Sequence, residues 1–171
     1  TTTLDDFASI FVAMLGGIDL AALVPNPLSQ SSVLQCSATI TAQNINYSGP
    51  FVDLYPINGG LHARVRFTNF NMGVNADLSG FLCPDASGNV SANSITVDVD
   101  LLISVPAPGE VVVVLANKTA SIGGLNVNLD GVLGFLVNWL VNLFEGTIAN
   151  QLEDLIVGQL DGFKDIIEEA L

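Results

Sequence analysis

Basic side chains are almost missing from this chain. Its 171 residues include four lysines and arginines against 17 aspartates and glutamates, which gives a formal net charge of −13. This excludes nucleic-acid binding, because phosphate backbones require a basic surface. The same charge disfavours binding to anionic membranes and to phosphate-rich glycolipids.

Groups that catalyse reactions or hold metals are equally scarce. His62 is the one histidine, and neither a glycine-flanked serine elbow nor a cysteine lies near it in the sequence. We therefore predict that His62 is an exposed strand residue and that the protein is not an enzyme. One histidine and two cysteines fall short of a zinc ligand set, and no phosphate-binding loop or dinucleotide fingerprint is present. No metal and no cofactor are expected.

Two oxygen-rich ladders are the remaining candidates for an ion site. They are Asp98 with Asp100, and Asn126 with Asn128 and Asp130. Alternate residues share one face of a strand and could offer oxygens to Ca²⁺. An extended strand spaces them about 7 Å apart, however, and does not fold them around an ion. A solvated strand face is the favoured interpretation.

The chain has no apolar run long enough to cross a bilayer. The densest one, Val132 to Phe144, contains two asparagines and is well short of the roughly 20 residues that a spanning helix needs. Apolar residues still make up 50% of the chain. We expect a single domain over residues 1–171, with a sizeable core.

Cysteine is limited to Cys36 and Cys83. One disulfide between them would suit a secreted protein, and two buried thiols are the alternative. No signal peptide is visible in the opening residues TTTLDDF, which favours a mature or trimmed chain. The expected location is secreted, periplasmic or extracellular.

The order of predicted elements is helix, strands, helix. Residues 1–27 form an N-terminal helical segment that Gly16-Gly17 weakens, and residues 31–130 alternate with the period of antiparallel strands. Asn58-Gly59 predicts a hairpin and Gly49-Pro50 a turn. A phase slip near Asn69 predicts a bulge or bend.

Residues 131–171 contain no proline and predict one long helix of roughly 60 Å. Its first half is apolar on nearly every side, apart from Gly134, Asn138 and Asn142, so it should be covered all round by protein, by lipid or by both. Its second half is amphipathic. The economical arrangement is an α+β fold in which a curved antiparallel sheet is rolled around the long C-terminal helix, with a short N-terminal helix.

The order of these segments and their amino-acid sequences resemble those of the TULIP superfamily. This superfamily includes bactericidal/permeability-increasing proteins, takeout-like proteins, mite group 7 allergens and SMP domains. The resemblance rests on DLYPINGGLHARVRFTNFNMGVNADLSG, and on SITVDVDLLISV followed by GGLNVNLDGVLGFLVNWLVNLFEGTIANQLEDLI. It implies an elongated barrel with a hydrophobic tunnel or groove for acyl chains. The endotoxin-binding members are basic and this chain is acidic, so their activity is not carried over. Their disulfide reaches the long helix, whereas no cysteine follows Cys83 here.

We therefore predict a protein that binds, and transports or presents, a lipid such as a fatty acid or phospholipid in an internal apolar cavity, without catalysis. Transient membrane contact and a homodimer belong to the same hypothesis. The alternative is a structural or assembly module with a filled core, within a surface or secreted protein. The predicted lipid-contacting residues are Val65, Phe67, Phe70, Phe135, Leu136, Trp139, Leu140, Leu143 and Phe144.

Overall fold

A computed structural model describes residues 9–10, 12–33, 36–80, 83–108, 110–130 and 134–170. Helical residues 9–10 and 12–15 come first, and a turn at Gly16-Gly17 interrupts the helix that these glycines were predicted to weaken. The rest of the predicted first helix, residues 1–8 and 11, lies outside the described residues. The elements that follow are α1 (Leu20–Leu23), β1 (Ser29–Val33), β2 (Cys36–Ile57), β3 (Gly60–Ser79), β4 (Ala86–Ala107), β5 (Glu110–Gly123), β6 (Asn126–Asp130), α2 (Gly134–Asn142), a π-helical segment (Leu143–Ile148) and α3 (Ala149–Ala170).

The predicted fold class is confirmed, since a long antiparallel sheet packs against one long C-terminal helix. The strands lie in the order β1-β2-β3-β4-β5, and β6 pairs with β4 beyond the end of β5. Thus β5 covers Ser94–Ala107 of β4, whereas β6 covers Ser87–Ser91. β2 and β3 join through Asn58-Gly59, where Gly59 has a φ of 82°, so the predicted hairpin is also confirmed.

The strands keep one apolar face although their alternation slips. On β3, Val65 and Phe67 are buried and so are Phe70 and Met72, which changes the buried positions from odd to even numbers. The change falls at Asn69, whose φ of 55° lies in the left-handed region that asparagine tolerates. The predicted irregularity near Asn69 is therefore present, and it turns the backbone so that the same face stays buried.

The prediction of a turn at Gly49-Pro50 is wrong. Both residues lie inside β2, where the pairing with β3 shifts register between Gln43 and Phe51. Among the described residues, β1 pairs only with Cys36–Ile40 of β2, so Pro50 lies on the open edge of the sheet. A residue without an N–H is tolerated at such an edge because no neighbouring strand needs its hydrogen bond.

The N-terminal helix α1 is tied to β2 by a small polar contact. The Asp19 carboxylate caps α1 by accepting from the N–H of Ala21 at 2.9 Å. The Tyr47 hydroxyl donates to the same carboxylate oxygen at 3.1 Å and accepts from the N–H of Leu20 at 3.2 Å. This contact holds the N-terminal helix beside the apolar face of the sheet.

The C-terminal helix (α2, the π-helical segment and α3) buries one row of side chains at every fourth position. In a regular α-helix a step of four residues rotates the side chain about 40° too far, so such a row would drift around the axis. The wider π turns reverse part of that drift and keep the row facing the sheet. The row consists of Leu136, Leu140, Phe144, Ile148, Leu152, Ile156 and Leu160, each at most 2% exposed.

The protein alone does not cover the first half of this helix all round. Gly134, Asn138 and Asn142 are exposed, and they are spaced four apart on the side away from the sheet. The three polar or small interruptions are therefore an outer stripe, and this half of the helix is amphipathic like the second.

Candidate functional site

Six of the nine predicted lipid-contacting residues are buried in one hydrophobic core, three from β3 and three from the C-terminal helix. The Phe70 and Phe144 rings pack edge to face with centroids 5.5 Å apart. Each of the six is at most 2% exposed: Val65, Phe67, Phe70, Leu136, Leu140 and Phe144. Such burial is that of a packed core, and the role of these residues as ligand contacts stays a prediction.

The other three, Phe135, Trp139 and Leu143, lie on the flanks of the same helix. All three are half-buried and pack against the edge of the core. Part of the apolar surface of each therefore stays exposed beside the buried row, along the first half of the helix.

A groove lies between β5 and α3, towards the other end of the C-terminal helix. Its volume is about 490 Å³, which falls within the range of small-molecule sites. The apolar part of its lining comes from the valine-rich start of β5 and from one turn of α3: Val113, Val114, Leu115, Val157 and Gly158.

Charged side chains of both signs complete the lining of this groove. Lys118 reaches it from β5, and Asp154, Asp161 and Lys164 reach it from α3. Two of the four basic residues of the chain therefore lie here, and the described lining residues carry two positive and two negative charges. No local sequence pattern indicates this groove, because β5 and α3 are brought together only by folding.

A polar cluster occupies the opposite face of the sheet, where β3 and β4 run side by side. His62 Nδ1 lies 2.6 Å from Asp100 Oδ1, and His62 Nε2 lies 2.9 Å from Asp98 Oδ1. Arg64 Nε donates to the same Asp98 oxygen at 2.7 Å. The Tyr55 ring stacks on the imidazole with centroids 4.6 Å apart.

These contacts shift the pKa values of the cluster. Partial burial lowers the pKa of His62, but the hydrogen bonds and charges of Asp98 and Asp100 outweigh it, so the net pKa is raised above 6.5. The amide of Asn117 donates to Asp100 Oδ2 at 2.6 Å. This hydrogen bond, followed by the one from His62, lowers the pKa of Asp100.

The prediction of an exposed histidine is wrong, since the His62 side chain is only 17% exposed and is held between two carboxylates. Asp98 and Asp100 are occupied by His62, Arg64 and Asn117, which leaves them no free arrangement around an ion. Asn126, Asn128 and Asp130 are exposed along β6, as expected for a solvated face. In the part of the chain that the structure describes, no group of three or more histidine, cysteine or acidic side chains is arranged to hold a metal.

The structure describes the side chain of only one of the two cysteines in the predicted disulfide. Cys83 is disulfide-bonded and packs against the core. Its predicted partner Cys36 begins β2, and the side chain of Cys36 lies outside the described residues. Among the helical residues that the structure describes, no helix combines the length and the hydropathy needed to span a membrane.

Comparison with known proteins gives similarity at the level of the fold. No protein family and no curated protein matches the sequence. The structure is similar to the crystal structure of lipopolysaccharide binding protein, with 20% identity and a TM-score of 0.45 over 95% of this chain. It is also similar to the solution structure of latherin, with 15% identity and a TM-score of 0.46 over 88% of this chain and 76% of latherin. The chain spans 36% of the length of the lipopolysaccharide binding protein structure.

Proposed function

We propose that this protein binds a lipid or similar amphiphile in the groove between β5 and α3, and carries or presents it without catalysis. The observation that carries the proposal is the composition of that groove, whose apolar side chains adjoin charged groups of both signs. An amphiphile has the same two-part chemistry. Burial of a 16-carbon acyl chain supplies roughly 12 kcal/mol before losses, at about 0.8 kcal/mol per CH₂, and an open groove supplies a fraction of this.

The charges of the groove favour one kind of headgroup. Lys118 and Lys164 can contact an anionic group, and Asp154 and Asp161 can contact a cationic group. The strongly acidic remainder of the protein repels ligands of high negative charge. We therefore expect a zwitterionic phospholipid to bind more tightly than an anionic phospholipid or a fatty acid.

The proposal includes no chemical step. Among the described residues that line the groove, the charged side chains are lysines and aspartates, and none is the serine, cysteine or histidine that a Ser-His or Cys-His hydrolytic site requires. Because no reaction is proposed, replacing His62 by alanine should not abolish any hydrolytic activity. A hydrolytic activity lost in that variant would contradict the proposal. We propose a secreted or periplasmic location, which the disulfide bond of Cys83 supports.

The direct test is to extract the natively purified protein with organic solvent and to identify lipids by mass spectrometry. A lipid near one equivalent per chain, together with uptake of a fluorescent phospholipid by delipidated protein, is expected. Absence of both would contradict ligand binding.

Leucine in place of Gly158 should block the groove without harming the fold. A Cβ at Gly158 meets nothing within 4 Å, so the new side chain enters the groove, and loss of a helical glycine stabilises α3 by about 0.5–1 kcal/mol. We expect at least a tenfold loss of affinity for the fluorescent phospholipid, with an unchanged or higher melting temperature.

Gly162→Leu is the matched control for this variant. Gly162 is one turn further along α3, is also open to solvent, and does not line the groove. Unchanged affinity in Gly158→Leu would place the ligand elsewhere. Trp139→Ala then tests the predicted site on the first half of the helix, where it should change the preferred acyl-chain length.

A structural or assembly module is the second candidate function. Its support is the complete burial of the six predicted residues of β3 and the C-terminal helix, together with exposed apolar side chains at Val105 and Val114, 65% and 52% exposed. A stable dimer in light scattering, combined with no bound lipid and no lipid uptake, would favour this alternative.

A further inference from the structure

The polar cluster on the outer face of the sheet links three strands through one imidazole. We call His62, Asp98, Asp100 and Asn117 the His62 clasp. His62 of β3 contacts both carboxylates of β4, at 2.6 and 2.9 Å. Asp100 then accepts from the side-chain amide of Asn117 in β5 at 2.6 Å. The clasp therefore joins β3, β4 and β5 side by side.

The clasp is complete only when His62 carries a proton on each ring nitrogen. Both nitrogens face a carboxylate oxygen, and a neutral imidazole has a single N–H. Loss of one proton leaves a nitrogen lone pair facing a carboxylate, which repels it. Arg64 still holds Asp98 in that state, through Nε at 2.7 Å.

Several ionisable groups lie around His62 on its own strand and on the neighbouring strands, and their charges influence its titration. β2 contributes the stacked ring of Tyr55. β3 contributes Arg64, which interacts electrostatically with Asp53 on the paired strand β2. β4 contributes Asp98 and Asp100. The carboxylates dominate and raise the pKa of His62, so the clasp is complete below about pH 6.5 and is lost as the pH rises through this raised pKa.

The far end of the clasp lies next to the groove. Asn117 has a φ of 48° and sits where β5 shifts register against β4, between the partners of Asp98 and Asp100. The next residue, Lys118, lines the groove, as does Leu115 two residues before Asn117. The hydrogen bond from Asn117 to Asp100 thus fixes the bulge from which the groove wall extends.

We propose that protonation of His62 closes the clasp, fixes the Asn117–Lys118 bulge and thereby holds the groove in its binding form. The groove is then a pH-gated site that binds its ligand in acidic medium and releases it in alkaline medium. This regulation rests on the proposed function, since it acts on the same groove.

The clasp can be tested without ligand by NMR on the whole chain. Titration from about pH 5.5 to 8.5 should give a His62 ring midpoint above the ordinary histidine value. The backbone amide of Lys118 should shift with the same midpoint in the wild type and stay flat in His62→Gln. A Lys118 amide that does not follow His62 would overturn the proposal.

Gating is tested by phospholipid affinity over the same pH range. We expect at least a threefold loss of affinity in the wild type between the acidic and alkaline ends. Asn117→Gly keeps a left-handed backbone while removing the amide link, so it should bind with no pH dependence. Arg66→Gln is the control, because Arg66 lies on the outer face of β3 outside the clasp, and it should keep the wild-type pH dependence.

The two proposals can fail separately. Phospholipid affinity that is equal at both ends of the pH range, or that keeps its pH dependence in Asn117→Gly, would overturn gating and leave lipid binding in place. If no lipid binds at any pH, the proposed function fails, while a shared titration midpoint of His62 and Lys118 still supports the clasp.

Discussion

Replacing Phe144 by alanine is expected to lower the free energy of unfolding by about 3–5 kcal/mol. Phe144 is fully buried, in the middle of the row that joins the C-terminal helix to the sheet. Its ring packs against Phe70 with centroids 5.5 Å apart. Truncation removes this contact and leaves a cavity that neighbouring side chains on a continuous helix and sheet cannot fill.

This loss is a large part of the stability of a domain of this size, which is about 5–15 kcal/mol. Denaturant unfolding followed by the fluorescence of Trp139 and by circular dichroism measures it directly. Phe135→Ala is the control, because Phe135 is half-buried on the flank of the same helix, and it should cost about 1 kcal/mol. Equal losses in the two variants would contradict the position of the buried row.

The sheet and the long helix could be predicted because each has a local signature. Alternation of apolar and polar residues predicted the strands, and Asn58-Gly59 predicted the hairpin that joins β2 and β3. The slip near Asn69 was also visible, since Phe67 and Phe70 cannot lie on one face of an unbroken strand. These features depend only on neighbours in the sequence.

The exposed side of the C-terminal helix was not predicted although its signal was present. Gly134, Asn138 and Asn142 were treated as interruptions of an apolar helix, yet their spacing of four places them on one side. Counting apolar residues led to a helix wrapped all round, whereas the positions of the polar ones give an exposed stripe. The prediction of a turn at Gly49-Pro50 was wrong for a related reason. A glycine-proline pair is also tolerated within an edge strand, and the sequence does not show which strand lies at an edge.

The clasp and the groove could not be predicted from local sequence patterns, because both depend on contacts between distant segments. His62 and Arg64 alternate on β3, and Asp98 and Asp100 alternate on β4, so opposite charges were available on both strands. Their contact depends on the register that sets His62 opposite Asp100 and Arg64 opposite Asp98. The groove depends on how α3 packs against β5, which brings Lys118 close to residues about 40 positions later in the chain.

The two sites lie on opposite sides of one thin structure, and β5 belongs to both. Its inner side chains and its bulge contribute to the groove, while Asn117 contributes to the clasp. In a single-layer sheet, a conformational change on one face can reach the other because the side chains of both faces share one backbone. The proposed ligand binding and its proposed regulation should therefore both be measured on β5.

Gly88→Ala is expected to cost about 2–3 kcal/mol, through a collision of backbone and side chain. Gly88 of β4 pairs with Leu129 of β6. A Cβ at this position would collide with the carbonyl oxygen of Asn128 and lie 2.8 Å from the Cα of Leu129. Both obstacles are backbone atoms, so relief requires β6 to move away from β4.

The expected result is a local loss of pairing, because β6 is short and ends the sheet before the C-terminal helix. Hydrogen exchange should show faster exchange of the β6 amides in Gly88→Ala than in the wild type, together with a lower melting temperature. Ser87→Ala changes the preceding exposed residue of the same strand and should leave both measurements unchanged. Protected β6 amides in Gly88→Ala would mean that β6 does not approach β4 this closely, and would contradict the prediction.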